Sequence, residues 1–286
     1  MTSAQTAVGR LVVCPTPIGN MEDITLRVLS ALARADVIAC EDTRHTGTLL
    51  ERHGIATALV SLHEGNERRR ARELARRVSA GERVALVADA GTPVISDPGF
   101  QLLRACLQAE LPVEVLPGPS AVTTALVASG MSSARWCFVG FLPRRGAELD
   151  ALLANAGDTL VAFESPHRLS ETLRRLAAQD PERELAVCRE LTKLHEEVRR
   201  GSAAALASEY AARASVRGEV TLVIAAADPS RAGRARATQA LAELVRAGAR
   251  PRPAAAVVAG LTGLGANELY RELAVSQREP RREGGR

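Results

Sequence analysis

The sequence predicts an α/β chain of two lobes followed by a small helical module, on three observations. Short apolar runs rich in Val, Leu and Ile alternate with helical patterns across residues 10–116. The same rhythm restarts after "GMSSARW" (130–136), and beyond residue 228 only helical patterns remain. Such alternation builds open, mostly parallel sheets covered on both faces.

The strand-sized runs of the first lobe are Arg10–Cys14, Val37–Cys40, Ala58–Leu62, Val84–Ala88 and Val113–Leu116. Between them, Thr25–Ala35 sets Leu26, Leu29 and Leu32 on one helical face, with Asp23 near the N-cap. Glu67–Ser79 is a strongly charged helix capped by Asn66, and Gln101–Glu110 is a short third one. Helix Ser120–Ser129 follows "LPGP". The second lobe reads as strands Cys137–Phe141, Thr159–Phe163, Glu184–Cys188 and Glu219–Ala225. Its helices are Leu149–Ala156, Leu169–Gln179 and Ala203–Ala214. "AADPSRAGRARA" (226–237) reads as a linker into three helical patterns, Thr238–Ala247, Pro253–Gly260 and Ala266–Val275. These have helix-turn-helix proportions, and the closing "SQREPRREGGR" reads as a disordered tail. The expected domains are 1–118, 119–228 and 229–286.

Composition narrows the function classes. At 46% hydrophobic and 24% charged residues the chain is globular rather than disordered. No apolar run reaches the roughly 20 residues of a membrane span. "MTSAQTAVGR" lacks the apolar core of a signal peptide, so a cytoplasmic chain is expected. The five cysteines are scattered without a CxxC, which argues for reduced thiols and no metal site. Residues 228–286 carry eleven Arg against six acids, a balance of +5, while the remaining 227 residues sum to −1. A basic end suits an acidic partner such as nucleic acid, or a solvated tail. Of 37 cationic side chains only Lys193 is a lysine.

No GxxxxGK[ST] and no strand–GxGxxG–helix unit occur, which weakens nucleotide-phosphate readings. Instead, polar loops follow the strands: "PTPIGNMED" (15–23), "EDTRHT" (41–46), "HEGNE" (63–67), "DAGTPVISDPG" (89–99) and "PGPSA" (117–121). "ESPHR" (164–168) and "RELTKLHEE" (189–197) do the same in the second lobe. Parallel strands bring such loops to one sheet edge, where α/β proteins place function. Each loop also has a plain reading: Gly19 supplying a positive φ in a turn, "EDTRH" as a solvated ion-paired turn, and Asp97-Pro98-Gly99 capping the next helix. His63, His167 and His195 each neighbour a carboxylate, as ion-paired surface histidines do. Glu164, a carboxylate at the mouth of the apolar run "LVAF", calls for a partner.

These loops, in this order and together with "GFLP" and "RGEVTLVI", resemble the S-adenosylmethionine-dependent methyltransferases of the tetrapyrrole methylase fold. The resemblance spans about residues 10–275 and is strongest to the branch that 2′-O-methylates a cytidine ribose in 16S ribosomal RNA. Two positions depart from the family pattern: Gly65 where a histidine is common, and Ala88 in place of a serine. The resemblance implies a cofactor, S-adenosylmethionine, folded into a cleft between the lobes. By motif, Ile18, Ala90, Gly91, Thr92 and Ile95 would line it from the first lobe, with Ser120 and Ala121 between lobes. Glu164, Leu191 and Gly218 would close it from the second. It also implies a homodimer.

Methyl transfer to a ribose oxygen needs alignment of three atoms and removal of a proton. Lys193, Glu164, His167 and Asp42 are the candidates for that chemistry, and Arg44, His45 and Arg168 for the RNA-facing rim; Glu41 and His63 are further proton acceptors in reach of the same loops. With aromatic residues at 2%, Arg contacts to phosphate must dominate over base stacking. Two other readings stay open: a tetrapyrrole or diphthine methyltransferase of the same fold, and a non-enzymatic helix-turn-helix regulator.

Overall fold

Arg10–Cys14, Val37–Cys40 and Val84–Ala88 carry no charge after their first residue, and such runs are stable only where both faces of a sheet are covered. They form the centre of a five-stranded, all-parallel sheet in a computed structural model that describes residues 9–154, 156–227 and 229–276. In chain order the first lobe is β1 (Arg10–Cys14), α1 (Leu26–Ala33), β2 (Val37–Cys40), α2 (Thr43–Arg52) and β3 (Leu59–Ser61). α3 (Glu67–Ser79), β4 (Arg83–Val87), α4 (Phe100–Gln108) and β5 (Val113–Val115) complete it. The strand order is β3-β2-β4-β1-β5, with β1 and β4 in register from Arg10↔Arg83 to Cys14↔Val87. One face packs Leu11, Leu74, Leu86 and Leu102; the other packs Val28, Leu32, Ile38 and Val87. A buried Leu of this kind contributes roughly 1.5–3 kcal/mol.

The second lobe comprises α5 (Ala121–Ser129), β6 (Trp136–Phe141), α6 (Gly146–Ala154), β7 (Thr159–Glu164), α7 (Leu169–Gln179) and β8 (Glu184–Arg189). β9 (Glu197–Ser202), α8 (Ala203–Ala211) and β10 (Val220–Ile224) follow. Its sheet, β6-β7-β10-β8-β9, is mixed rather than parallel: β10 runs antiparallel to β7 and β8, and β8 antiparallel to β9. The start of β10 therefore lies at the same edge as the ends of β7 and β8. Three helices, α9 (Pro229–Arg246), α10 (Pro251–Thr262) and α11 (Ala266–Ser276), share a core of Leu241, Ala255, Val258, Leu269 and Leu273.

Several expectations are corrected. α1 is capped by Thr25, whose hydroxyl accepts from the Val28 N–H, because Asp23 is used in a preceding 3₁₀ turn capped by Asn20. Its buried face is Val28 and Leu32, and Leu26 is 84% exposed. "EDTRHT" is not a loop throughout: Asp42 caps α2, which buries Thr46, Leu49 and Leu50. Asn66 stands at the start of α3 without capping it; its side chain closes the preceding turn onto the His63 N–H and the Ser61 carbonyl. The charged run "EVRRGS" is an edge strand, where exposed charge is tolerated. Its Glu197 is gripped by Arg213, Arg189 and Arg199, which pull that carboxyl down to about 2. The basic run after residue 228 is helical from Pro229 onward, proline being suited to a first helical position. The expected tail, apart from Ser276, lies outside the described residues.

α4 has no capping side chain of its own at Gly99. Glu67, at the start of α3, accepts from the Gly99 and Gln101 N–H groups at 2.8 and 3.0 Å instead. Glu67→Ala is expected to cost about 1 kcal/mol in a denaturant titration, and Glu67→Gln, which keeps an acceptor, much less.

Candidate active site

The loops at the strand ends of the first sheet face the loops of the second across a cavity of about 540 Å³, within the range of small-molecule sites. Another concavity, of about 470 Å³, lies by Arg10, Arg83 and α1 at the strand starts, the edge where α/β sheets do not place ligands.

The first-lobe wall is set by a cross-link between two loops. Thr16 and Gly91 exchange both backbone hydrogen bonds, at 2.9 and 3.0 Å, and the Thr16 hydroxyl donates to the Ala88 carbonyl. Gly91 has φ +77°, and an added Cβ would stand 3.3 Å from Ile18. Its N–H is thus spent on Thr16, which leaves a ligand only the second lone pair of its carbonyl. Thr92 donates to the Pro119 carbonyl, tying this wall to the interlobe segment. Val94 and Ser96 hold positive φ without being glycines, which bends the loop back toward the cavity.

The second-lobe wall comes from the ends of β6 and β7 and the start of β10. Phe163 meets Phe138 and Phe141 edge-on at 5.0 and 5.5 Å, so three of the chain's four Phe cluster here. Phe141 and Phe163 face the cavity. Glu164 is 2% exposed: it accepts from the Thr172 hydroxyl at 2.6 Å and the Ser165 N–H at 2.7 Å, and pairs with Arg168 at 3.4 Å.

Besides Glu164, four carboxylates converge on the same space: Glu41, Asp89, Asp97 and Glu219. Burial, and then Glu41, Asp89 and Glu219, push the Asp97 carboxyl up to about 7. Burial and Asp89 also raise Glu41. An apolar, acid-rimmed cavity repels phosphates and favours a ligand that carries positive charge.

Of the residues marked for a cofactor, Ile18, Ala90, Gly91, Thr92, Ile95, Ser120, Ala121, Glu164 and Gly218 lie on the cavity wall. Leu191 does not; it is buried beside Ile18 and Val122 in the interlobe core. The Lys193 ammonium is held by Glu190 at 2.8 Å and Glu219 at 3.1 Å, a layer behind the wall. Those partners raise its pKa and keep it a cation rather than a base. Its stem and Thr192 pack against Gly19, where any Cβ would collide. Gly19 is therefore required for this contact between lobes, and not for a positive φ. His167 is exposed and off the wall, and the Asp42 carboxylate caps α2 onto the Arg44 N–H. Arg44 and His45 are exposed. Arg168 is not free for a substrate: it donates to the Leu142 and Pro143 carbonyls besides pairing with Glu164. Asp97 does not cap α4. With Phe141, Phe163 and Glu219, it is a wall residue that motif reading left out of the site. Their only signal was position, beside strand ends.

Among the described residues no group of His, Cys, Asp and Glu is arranged to hold a metal, and no helix is long and apolar enough to cross a membrane.

Comparison with known proteins adds to this geometry. A family model described as tetrapyrrole (corrin/porphyrin) methylases matches residues 10–207. The ribosomal RNA small subunit methyltransferase I of Micromonospora olivasterospora is 44% identical over 273 residues, covering 93% of this chain and 86% of its own length. That of Mycobacterium bovis is 44% identical over 278 residues, covering 95% and 96%. The structure of uroporphyrin-III C-methyl transferase from Thermus thermophilus, complexed with S-adenyl homocysteine, superposes with a TM-score of 0.53 at 19% identity. It covers 76% of this chain and 97% of that one.

Proposed function

The chain belongs to the tetrapyrrole methylase family; it is an S-adenosylmethionine-dependent methyltransferase of small-subunit ribosomal RNA, and we propose that its target is the 2′-oxygen of a cytidine ribose. The cavity carries this reading. It is large enough for a nucleoside-sized cofactor, apolar on the Phe141–Phe163 side, and ringed by carboxylates that suit a cationic ligand and disfavour a phosphate. When bound, S-adenosylmethionine supplies a methyl carbon activated by a neighbouring positively charged sulfur.

The chain's own residues then have separable tasks. Ile18, Ile95 and Phe163 offer the apolar surface for an adenine ring. Ser120, Ala121 and Thr221 form the floor between lobes. Glu164 and Arg168 hold the "GFLP" loop and the end of β7 in one arrangement, so that Phe141 and Ser165 face the cavity. Lys193 braces Glu219 from behind.

Outside the cavity wall, RNA is gripped by charge. Arg44 and His45 stand exposed close to the wall residue Glu41, and the basic three-helix module of residues 229–276 supplies a second hold. Val127, 79% exposed on the second lobe, offers an apolar contact to a second copy of the chain. A ribosomal substrate supports a cytoplasmic reading.

The test is ribose-methylation mapping on 16S ribosomal RNA from a strain lacking the gene. Primer extension at low nucleotide concentration is expected to lose one stop at a cytidine, restored by the full chain. A chain cut after residue 228 should restore it poorly while binding S-adenosylmethionine with unchanged affinity. An unchanged stop pattern, or loss of a base-methylation signal instead, would overturn the 2′-oxygen assignment.

A further inference from the structure

Transfer to a ribose oxygen leaves one proton to be removed, and the cavity holds five carboxylates that face it. Three are already committed. Glu164 is buried against Thr172, the Ser165 N–H and Arg168. Asp89 accepts from the Asp42 N–H at 3.1 Å, fastening the start of α2. Glu219 binds the Lys193 ammonium. The other bases in the neighbourhood are also spent or distant: Asp42 caps α2, Lys193 is a paired cation, and His63 and His167 are exposed and off the wall.

Glu41 and Asp97 remain, and neither carboxylate takes a hydrogen bond from any described residue. Asp97 is the more enclosed of the two, and the fold has gone out of its way to leave it spare. It stands two residues before Gly99, the N-cap of α4, outside the position from which a side chain caps the helix N–H groups. That work is done by Glu67 from another helix. Meanwhile the positive φ of Val94 and Ser96 turns the segment so that Asp97 faces the cavity.

Resting on the 2′-oxygen reading above, we infer that Asp97 is the general base of this enzyme. Its carboxylate takes the proton as the O–H bond breaks and the oxygen–methyl bond forms. The methyl–sulfur bond breaks with its electron pair returning to sulfur, and the protonated Asp97 returns its proton to solvent. The groups that face it are Glu41 from the end of β2, Asp89 from the end of β4, and Glu219 with its Lys193 from the second lobe. The three carboxylates, together with burial, bring Asp97 to about 7, where a base is both available and strong enough to act at neutral pH.

The test compares Asp97→Asn, Glu41→Gln and the wild type on an in vitro 16S RNA substrate, with calorimetry of S-adenosylmethionine binding and a ¹³C carboxyl titration of the free protein. In the wild type kcat should rise with pH to a plateau above about 7, and one aspartate should titrate there. Asp97→Asn should lose that resonance and the acid limb, with kcat lower by about 10²- to 10⁴-fold and cofactor affinity within a few-fold. Glu41→Gln removes a neighbouring negative charge, so the limb should persist and move to lower pH. The assignment is overturned if Asp97→Asn keeps wild-type kcat. It is equally overturned if the acid limb disappears in Glu41→Gln alone, or if Asp97→Asn loses cofactor binding while kcat at saturation is preserved. If the wild type forms no 2′-O-methylcytidine, the underlying reading fails and the base assignment falls with it.

Discussion

Glu164→Ala is expected to destabilise the second lobe by about 3 kcal/mol, the low end of what removing one partner of a buried charge pair costs. The carboxylate is almost wholly enclosed and has three donors, so its loss strands the Thr172 hydroxyl, the Ser165 N–H and the Arg168 guanidinium together. Arg168, with 30% of its side chain exposed, recovers part of its hydration, which keeps the cost from rising further. Glu164→Gln retains an acceptor of the same shape and should cost less than half as much. The chain's single tryptophan, Trp136 in β6, belongs to this lobe, so its fluorescence in a urea titration reads the right unit. A midpoint unchanged in Glu164→Ala would mean that the carboxylate is held for ligand contact alone.

Ala121→Phe should lower S-adenosylmethionine affinity at least about 100-fold, equivalent to roughly 2.7 kcal/mol. Ala121 opens α5 on the cavity wall at the margin of the interlobe core, half-buried, and a phenyl ring there has the cavity to extend into. The fold should therefore survive while the floor of the site is filled. Calorimetry with the cofactor measures the first effect and the Trp136 urea midpoint checks the second. Undiminished affinity in a folded variant would move the cofactor out of this cavity.

Much of the site could be read before any coordinates, and the misses share a cause. Nine of the ten residues marked for a cofactor lie on the cavity wall: the first-lobe ones because loops after parallel strands gather at one sheet edge, Glu164 as the last residue of β7, and Gly218 just before the antiparallel β10. The exception, Leu191, follows β8 in the same way, but the backbone turns at Glu190 and Thr192, both at positive φ, and carry it inward. Charged candidates fared worse. Arg168 looked like a rim residue and is a clamp on two carbonyls; Lys193 looked like a reacting cation and is a brace. Charge type is visible in a sequence, whereas a partner is visible only in space. The same holds for Asp97, whose "DPG" context spells a helix cap until Glu67, distant in sequence, takes the position.

Elements show the same division. β1, β2, α3 and α7 agree with their predicted limits, since hydrophobic period and length are local properties. α2 and β9 were missed because polar sequence hid them. α2 buries only a three-residue face under "TRHTGTLLER", and β9 is an edge strand stitched by Glu197 to Arg189 and Arg213 from elsewhere in the chain.

Local pattern is enough to specify the two-lobed α/β plan, the edge on which the functional loops gather, and the absence of any phosphate loop. Each follows from periodicity and turn chemistry acting over fewer than about twenty residues. Packing in space sets the reversed direction of β10, which brings Gly218 and Glu219 to the cavity, and sets which of the crowded carboxylates are paired among the described residues. Those outcomes depend on pairings between residues tens of positions apart, and no local pattern encodes them.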